Sequence, residues 1–125
     1  MFWIHGGGFS LGQALEYFPN RYMEHDIVFV AIQYRLGPLG MFVRHVCNLV
    51  HHIACTFFSG FLSFDTDEVP GNAAIFDQIE ALRWVKKHIA YFGGDPNRVT
   101  IAGESAGSAS VSMLLLAPQA RGWFL

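Results

Sequence analysis

The feature that most constrains this chain is Gly103-Glu104-Ser105-Ala106-Gly107, a G-x-S-x-G sequence directly after the apolar, β-branched run Val99 to Ala102. A short buried strand, then a serine between small residues, then the helix-forming tract Val111 to Ala117, predicts a nucleophile elbow. Glycine at 103 and 107 lets strand and helix approach closely, and Ser105 is then held in a strained turn with its hydroxyl projecting. The pentapeptide alone carries little weight, because glycine, serine and alanine are abundant. The strand before it and the helix after it supply the meaning.

A second glycine-rich site lies near the other end. His5-Gly6-Gly7-Gly8-Phe9 follows the short apolar run Phe2 to Ile4. Three glycines after a strand let backbone N–H groups converge on one point, as stabilisation of a developing oxyanion requires. Alone, such a tract reads as a plain turn; paired with G-x-S-x-G it reads as a set of oxyanion donors. His5 reads as a structural hydrogen-bonding residue rather than a general base. Met1 to Ile4 reads as the middle of a strand, since it has neither a charged leader region nor a cleavage site.

Composition fits these motifs. Hydrophobic residues make up 52% of the chain and charged residues 14%, with thirteen glycines, which suits a buried parallel sheet better than a solvated bundle. Eight Lys and Arg against ten Asp and Glu leave a net charge of −2 and no basic stripe, which argues against nucleic acid as a partner. The aromatic side chains, Trp3, Phe57, Phe58, Phe61, Phe64, Trp84 and Trp123 among them, suit a core larger than 125 residues close. We therefore expect an α/β fragment, incomplete at both ends, with parallel central strands flanked by helices. Cys47 and Cys55 say little about redox compartment.

Along the chain, Gln13 to His25 reads as a loop with a short helix after Pro19, and Ile27 to Ile32 as a strand buried on both faces. Gln33 to Pro38 ends that strand with turn chemistry. Asn72 to Tyr91 is the clearest helix, with Asn72 as N-cap and Ile75, Ile79, Leu82, Val85 and Ile89 at three- and four-residue spacings. Lys86, Lys87 and His88 suit its C-terminal dipole, and Gly93-Gly94-Asp95-Pro96 stops it. Helix, loop, strand, elbow, helix is a run of a parallel sheet.

Together, His5 to Phe9, Tyr34-Arg35-Leu36-Gly37, Pro70-Gly71-Asn72, Asp77-Gln78, Ala81 to Val85 and Phe92 to Gly107 resemble the type-B carboxylesterase and cholinesterase family, in family order. The resemblance implies an α/β-hydrolase fold, Ser105 as the acyl-accepting nucleophile, and an oxyanion hole from the backbone N–H groups of Gly7, Gly8 and Ala106. It implies an Arg35–Asp77 structural ion pair, and it places Glu104 at the base of the family's gorge. The implied activity is carboxylic ester hydrolysis of a small-molecule ester with no cofactor and no metal. The implied location is the secretory pathway. The alternative is a non-catalytic, cholinesterase-like adhesion ectodomain on the same fold.

In α/β-hydrolases the triad runs Ser, then Asp or Glu, then His. After Ser105 this chain has no histidine, aspartate or glutamate. The chain alone is therefore expected to be silent, since a serine without a base is a weak nucleophile.

Residues 41–60 depart from the family pattern; removing them joins Gly40 to Phe61-Leu62-Ser63, as the family runs. Four readings compete. A metal site would use His45, Cys47, His51, His52 and Cys55, but their spacing fits no standard zinc module. A membrane span is interrupted by Arg44 and three histidines. A loop insertion is thermodynamically cheap. The reading we favour is a translated retained intron, because Gly40-Met41 can be encoded with a splice donor and Cys55 to Gly60 as a pyrimidine-rich acceptor.

Overall fold

The computed structural model describes residues 1–37, 63–66 and 69–125. Its sheet is built from three short runs: β1 (Phe2–Ile4), β2 (Val30–Ile32) and, far along the chain, the strand that leads into Glu104. Between them come a two-stranded antiparallel pair, β3 (Ser63–Thr66) with β4 (Val69–Pro70), and the helix α1 (Ala73–His88). β5 (Ile101–Gly103) and α2 (Ala106–Leu116) complete the order. The main sheet runs β2-β1-β5 and is parallel throughout, with Phe2 opposite Val30 and Ile101, and Ile4 opposite Ile32 and Gly103. This is the expected partial α/β-hydrolase architecture.

Alternation explains β1. Phe2 and Ile4 are wholly buried, whereas Trp3, one step between them, points to the other face and is half-buried. Ile79, Leu82, Val85 and Ile89 of the helical stripe are buried in one cluster with Phe2, Ile4, Val99 and Leu114, while Ile75 is only partly buried against it. That stripe is what holds α1 on the sheet.

Several boundaries differ from expectation. The strand expected over 27–32 is confined to Val30–Ile32, because the ladder extends only as far as β1 runs beside it. Before that point the Val28 carbonyl accepts from the Met1 amino group (2.6 Å), and the Met1 carbonyl takes the Val30 N–H. Val30 and Ala31 are half-buried rather than enclosed on both faces, as β2 is an edge of the described sheet. The expected loop over Gln13 to His25 has a one-turn helix on each side of Pro19, Ala14–Glu16 as well as Tyr22–Glu24.

Asn72 stands at the start of α1 but does not cap it with its side chain. It adopts the left-handed conformation (φ 59°, ψ 22°), and its backbone carbonyl takes the N–H groups of Ile75 and Phe76. Asparagine tolerates that region better than most residues, so it serves as a turn residue instead. α1 gives way after His88 to a tighter turn, Ile89–Phe92, which Gly93 closes at φ 79°. α2 begins five residues before the tract that predicted it, immediately after Ser105.

Candidate active site

The elbow is as tight as the sequence predicts. Only Glu104 and Ser105 separate the end of β5 from the start of α2. Ser105 is exposed and sits at φ 51°, ψ −115°, a region L-residues rarely occupy, which costs on the order of 1–3 kcal/mol. Hydrogen bonds on both sides enforce it: Gly107 N–H to the Glu104 carbonyl (2.8 Å) and Ala109 N–H to the Ser105 carbonyl (3.0 Å). Packing enforces it further. A Cβ on Gly103 would come within 2.5 Å of the Gly107 carbonyl carbon, and one on Gly107 would collide with the Ile4 carbonyl oxygen. Glycine at both positions is what lets α2 start directly on top of the central strand.

The glycine loop leaves the end of β1 and turns sharply. Gly7 and Gly8 have φ of 107° and 59°, and the Gly7 carbonyl accepts from both Ser10 and Leu11 at 3.1 Å. Gly6 faces the elbow directly, since a Cβ there would lie 3.1 Å from Ser105 Cβ and would collide with the Glu104 carboxylate. Among the described residues, no acceptor takes the N–H groups of Gly7, Gly8 or Ala106. The loop and elbow thus meet beside Ser105, and these three backbone donors have no acceptor among the described residues.

His5 anchors the loop from beneath. It is fully buried, its Nδ1 lies 2.7 Å from the Gly6 carbonyl, and its ring stacks on Tyr34 with centroids 4.5 Å apart. A carbonyl can only accept, so Nδ1 carries the proton. Tyr34 donates its hydroxyl to the His5 carbonyl at 2.8 Å, and its ionisation is pushed up to about 12 by burial, aided by the charge of Tyr17. The buried Nε2 of His5 has no partner among the described residues.

Arg35 holds Asp77 of α1 through three contacts: its backbone N–H (3.0 Å), Nε (2.7 Å) and Nη2 (2.7 Å). Burial alone would raise the Asp77 carboxyl, but the hydrogen bonds and charge of Arg35 overcome this and hold it below the usual value. This is the ion pair the family resemblance implies. It fixes the segment after β2 to α1 rather than entering the serine site.

The carboxylesterase family model matches residues 1–47 and 57–125. This chain belongs to the carboxylesterase family. It is 43% identical over 122 residues to gut esterase 1 of Caenorhabditis briggsae, covering 94% of this chain and 18% of that protein. With cocaine esterase of Oryctolagus cuniculus it shares 44% identity over 125 residues, covering 99% of this chain and 20% of the relative. The crystal structure of juvenile hormone esterase from Manduca sexta superposes with a TM-score of 0.78 at 33% identity, over 98% of this chain and 20% of that one. The chain thus spans about a fifth of the length of these esterases.

Two features of this carboxylesterase-family chain escaped sequence reasoning. Tyr17 reaches the site from a loop, and no local pattern signals its contact with Glu104, 87 residues away. Gln78 and Ser110, both fully buried, join α1 to α2 by a 3.0 Å hydrogen bond. Gln78 lies on the buried stripe of α1, so a polar residue among apolar ones is the signal that could have found it. The atypical segment 41–60, with its histidines and cysteines, lies outside the described residues. Among the described residues no helix is long and apolar enough to cross a membrane.

Proposed function

We propose that this chain carries the nucleophile half of a serine carboxylic ester hydrolase. Ser105 would attack the carbonyl of a small-molecule ester and hold the acyl group, and the N–H groups of Gly7, Gly8 and Ala106 would receive the oxyanion. The observation that carries this reading is the backbone of Ser105 at φ 51°, ψ −115°, exposed at a strand-to-helix turn. Strain of that kind is retained where a hydroxyl must project. These N–H groups, without an acceptor among the described residues, and the esterase relatives support it. The secretory location follows the same relatives, gut esterase 1 and a venom carboxylesterase of Apis mellifera among them.

The chain acting alone lacks the rest of the triad. Proton removal from Ser105 and protonation of the leaving alcohol both need a base oriented by an acid. No histidine or acid follows Ser105 here, so the 125-residue polypeptide is predicted to turn over little or no ester. The second reading is a non-catalytic adhesion or binding ectodomain; Ser105 with Gly7 and Gly8 supports the enzyme, and a Glu or Asp and a His at family positions of the full-length protein separate the two. Within this proposal residues 1–125 are one fragment of a single domain, and 41–60 are a translated retained intron. The family match breaks only over residues 48–56, which supports an insert in the middle of that segment, while the match itself reaches into 41–47 and 57–60.

Hydrolysis of a 4-nitrophenyl ester by the purified chain tests the first claim. Baseline rates are expected, and robust turnover abolished by Ser105→Ala would overturn the prediction of silence. Labelling by a fluorophosphonate, compared between wild type and Ser105→Ala in a chain that joins this segment to the triad acid and histidine of a related esterase, tests the nucleophile assignment. Sequencing the transcript across residues 41–60 tests the intron.

A further inference from the structure

The oxyanion donors proposed above come from two segments, Gly7 and Gly8 after β1 and Ala106 after β5. Donors preorganise a site only if their spacing is fixed before the substrate arrives. Adjacent strands set the spacing roughly, but both segments leave the sheet before the donors begin.

One side chain spans the gap. The Tyr17 hydroxyl accepts the Gly6 N–H at 3.2 Å and donates to Glu104 Oε2 at 3.0 Å. It therefore uses its lone pair on the glycine loop and its proton on the elbow. Neither role can be reversed, because an amide N–H only donates and a carboxylate only accepts. Gly6 is free of a Cβ at the point where the Glu104 carboxylate passes over it, so a larger residue there would close the path.

The tyrosine is itself held in place. Its ring packs on Trp3 of the central strand, with centroids 5.2 Å apart, and Trp3 is flanked by Phe29 at 6.1 Å. The turn that delivers it is tied to the end of β2 by the Ala14 N–H, which reaches Gln33 Oε1 at 3.3 Å. The hydroxyl is thus aimed by packing on the same strand that carries the glycine loop.

We propose that Tyr17 is a positioning residue that couples the glycine loop to the serine turn, so that the Gly7, Gly8 and Ala106 N–H groups move as one rigid bank. The assignment rests on the reading of those groups as oxyanion donors. Glu104 is the elbow-side anchor of the coupling, and the Trp3 face sets the position of the phenol.

Amide hydrogen exchange of the expressed protein, resolved by residue, tests this without requiring turnover. Tyr17→Phe keeps the ring on Trp3 and removes only the hydroxyl. It is expected to speed exchange at Gly6 roughly three- to tenfold, the worth of one modest hydrogen bond. Gly7, Gly8, Ser105 and Ala106 should show lower 15N order parameters with it, while α1 and the melting temperature stay unchanged. Glu104→Ala should reproduce the loosening. Glu104→Gln should rescue it, because a carboxamide oxygen still accepts from the phenol. Unchanged exchange at Gly6, or unchanged order parameters at Gly7, Gly8 and Ala106, overturns the proposal. So does loosening spread equally over α1, which indicates general packing, and so does a Glu104→Gln variant as mobile as Glu104→Ala. The ester hydrolase reading fails on different evidence, the absence of Ser105-dependent fluorophosphonate labelling in the chain joined to a relative's acid and histidine, so the two failures are distinguishable.

Discussion

Gly107, in the first turn of α2, lies against the backbone carbonyl of Ile4 so closely that a Cβ at 107 would sit 2.8 Å from the Ile4 carbonyl carbon. Helix and central strand touch through backbone alone. Gly107→Ala is therefore expected to cost about 1–3 kcal/mol through overpacking. At Gly93 a Cβ would meet nothing within 4 Å, so Gly93→Ala bears only its left-handed φ of 79°, about 1–2 kcal/mol. Urea denaturation of both variants checks the order. A Gly107→Ala variant as stable as wild type would mean that the contact with Ile4 contributes nothing.

Ser105 makes the opposite prediction. Its strained backbone is one that glycine adopts freely, so Ser105→Gly is expected to raise stability by about 1 kcal/mol while removing the hydroxyl. A stability–function exchange at this residue would appear as a higher denaturation midpoint, with phosphonate labelling lost in the chain joined to a relative's acid and histidine.

The Arg35–Asp77 pair sets an acid limit. The carboxyl of Asp77 titrates below its usual value of 3.8 in the folded chain, so the pair's contribution is complete above that value. As pH falls through the depressed value the aspartate protonates and the contribution is lost. Asp77→Asn should thus be less stable than wild type at pH 7 and converge with it as the pH falls through that depressed value. Arg35 is half exposed, so the difference at pH 7 is expected to be modest.

Tyr34 sets the alkaline limit. Its ionisation rises from 10 to about 12 on folding, because burial disfavours the phenolate. The stability it contributes is complete below pH 10 and is lost as pH rises toward about 12, since only the unfolded chain ionises readily in that window. Tyr34→Phe is expected to flatten this alkaline decline, at the expense of the hydrogen bond to the His5 carbonyl at neutral pH.

Gln78 and Ser110 offer a test of buried polar pairing. Ser110→Ala removes the partner of Gln78 Nε2, and Oε1 has no partner among the described residues, so a loss of about 1–3 kcal/mol is expected. Replacing both, Gln78→Leu with Ser110→Ala, should recover most of it. A double variant no better than the single one would show that shape, not hydrogen bonding, sets the cost.

The local parts of this site were legible in the sequence because their physics is local. Ser105 between Gly103 and Gly107 specifies its own turn, and the tract Gly6 to Gly8 its own loop. The stripe from Ile79 to Ile89 announces a helix before any packing is known. Arg35 with Asp77 came from family resemblance, since nothing in their separation of 42 positions suggests a pair. Strand limits failed where pairing decides them, as at Ile27 to Phe29. Asn72 failed as a cap because the same residue type suits both a cap and a left-handed turn. Tyr17 was invisible, since its role depends on where a loop side chain lands after the sheet has formed.

The strand order β2-β1-β5 also has a consequence in time. β1 lies in the middle of the sheet, yet its two neighbours are β2, about thirty residues on, and β5, about a hundred residues on. At ribosomal speeds of roughly 5–20 residues per second, the organising strand waits on the order of 5–20 seconds for its second partner. During that wait Phe2 and Ile4, wholly buried in the end, have no finished sheet to enter. Synthesis must therefore carry this apolar strand, one edge open, until the segment bearing Ser105 arrives and β5 closes that edge.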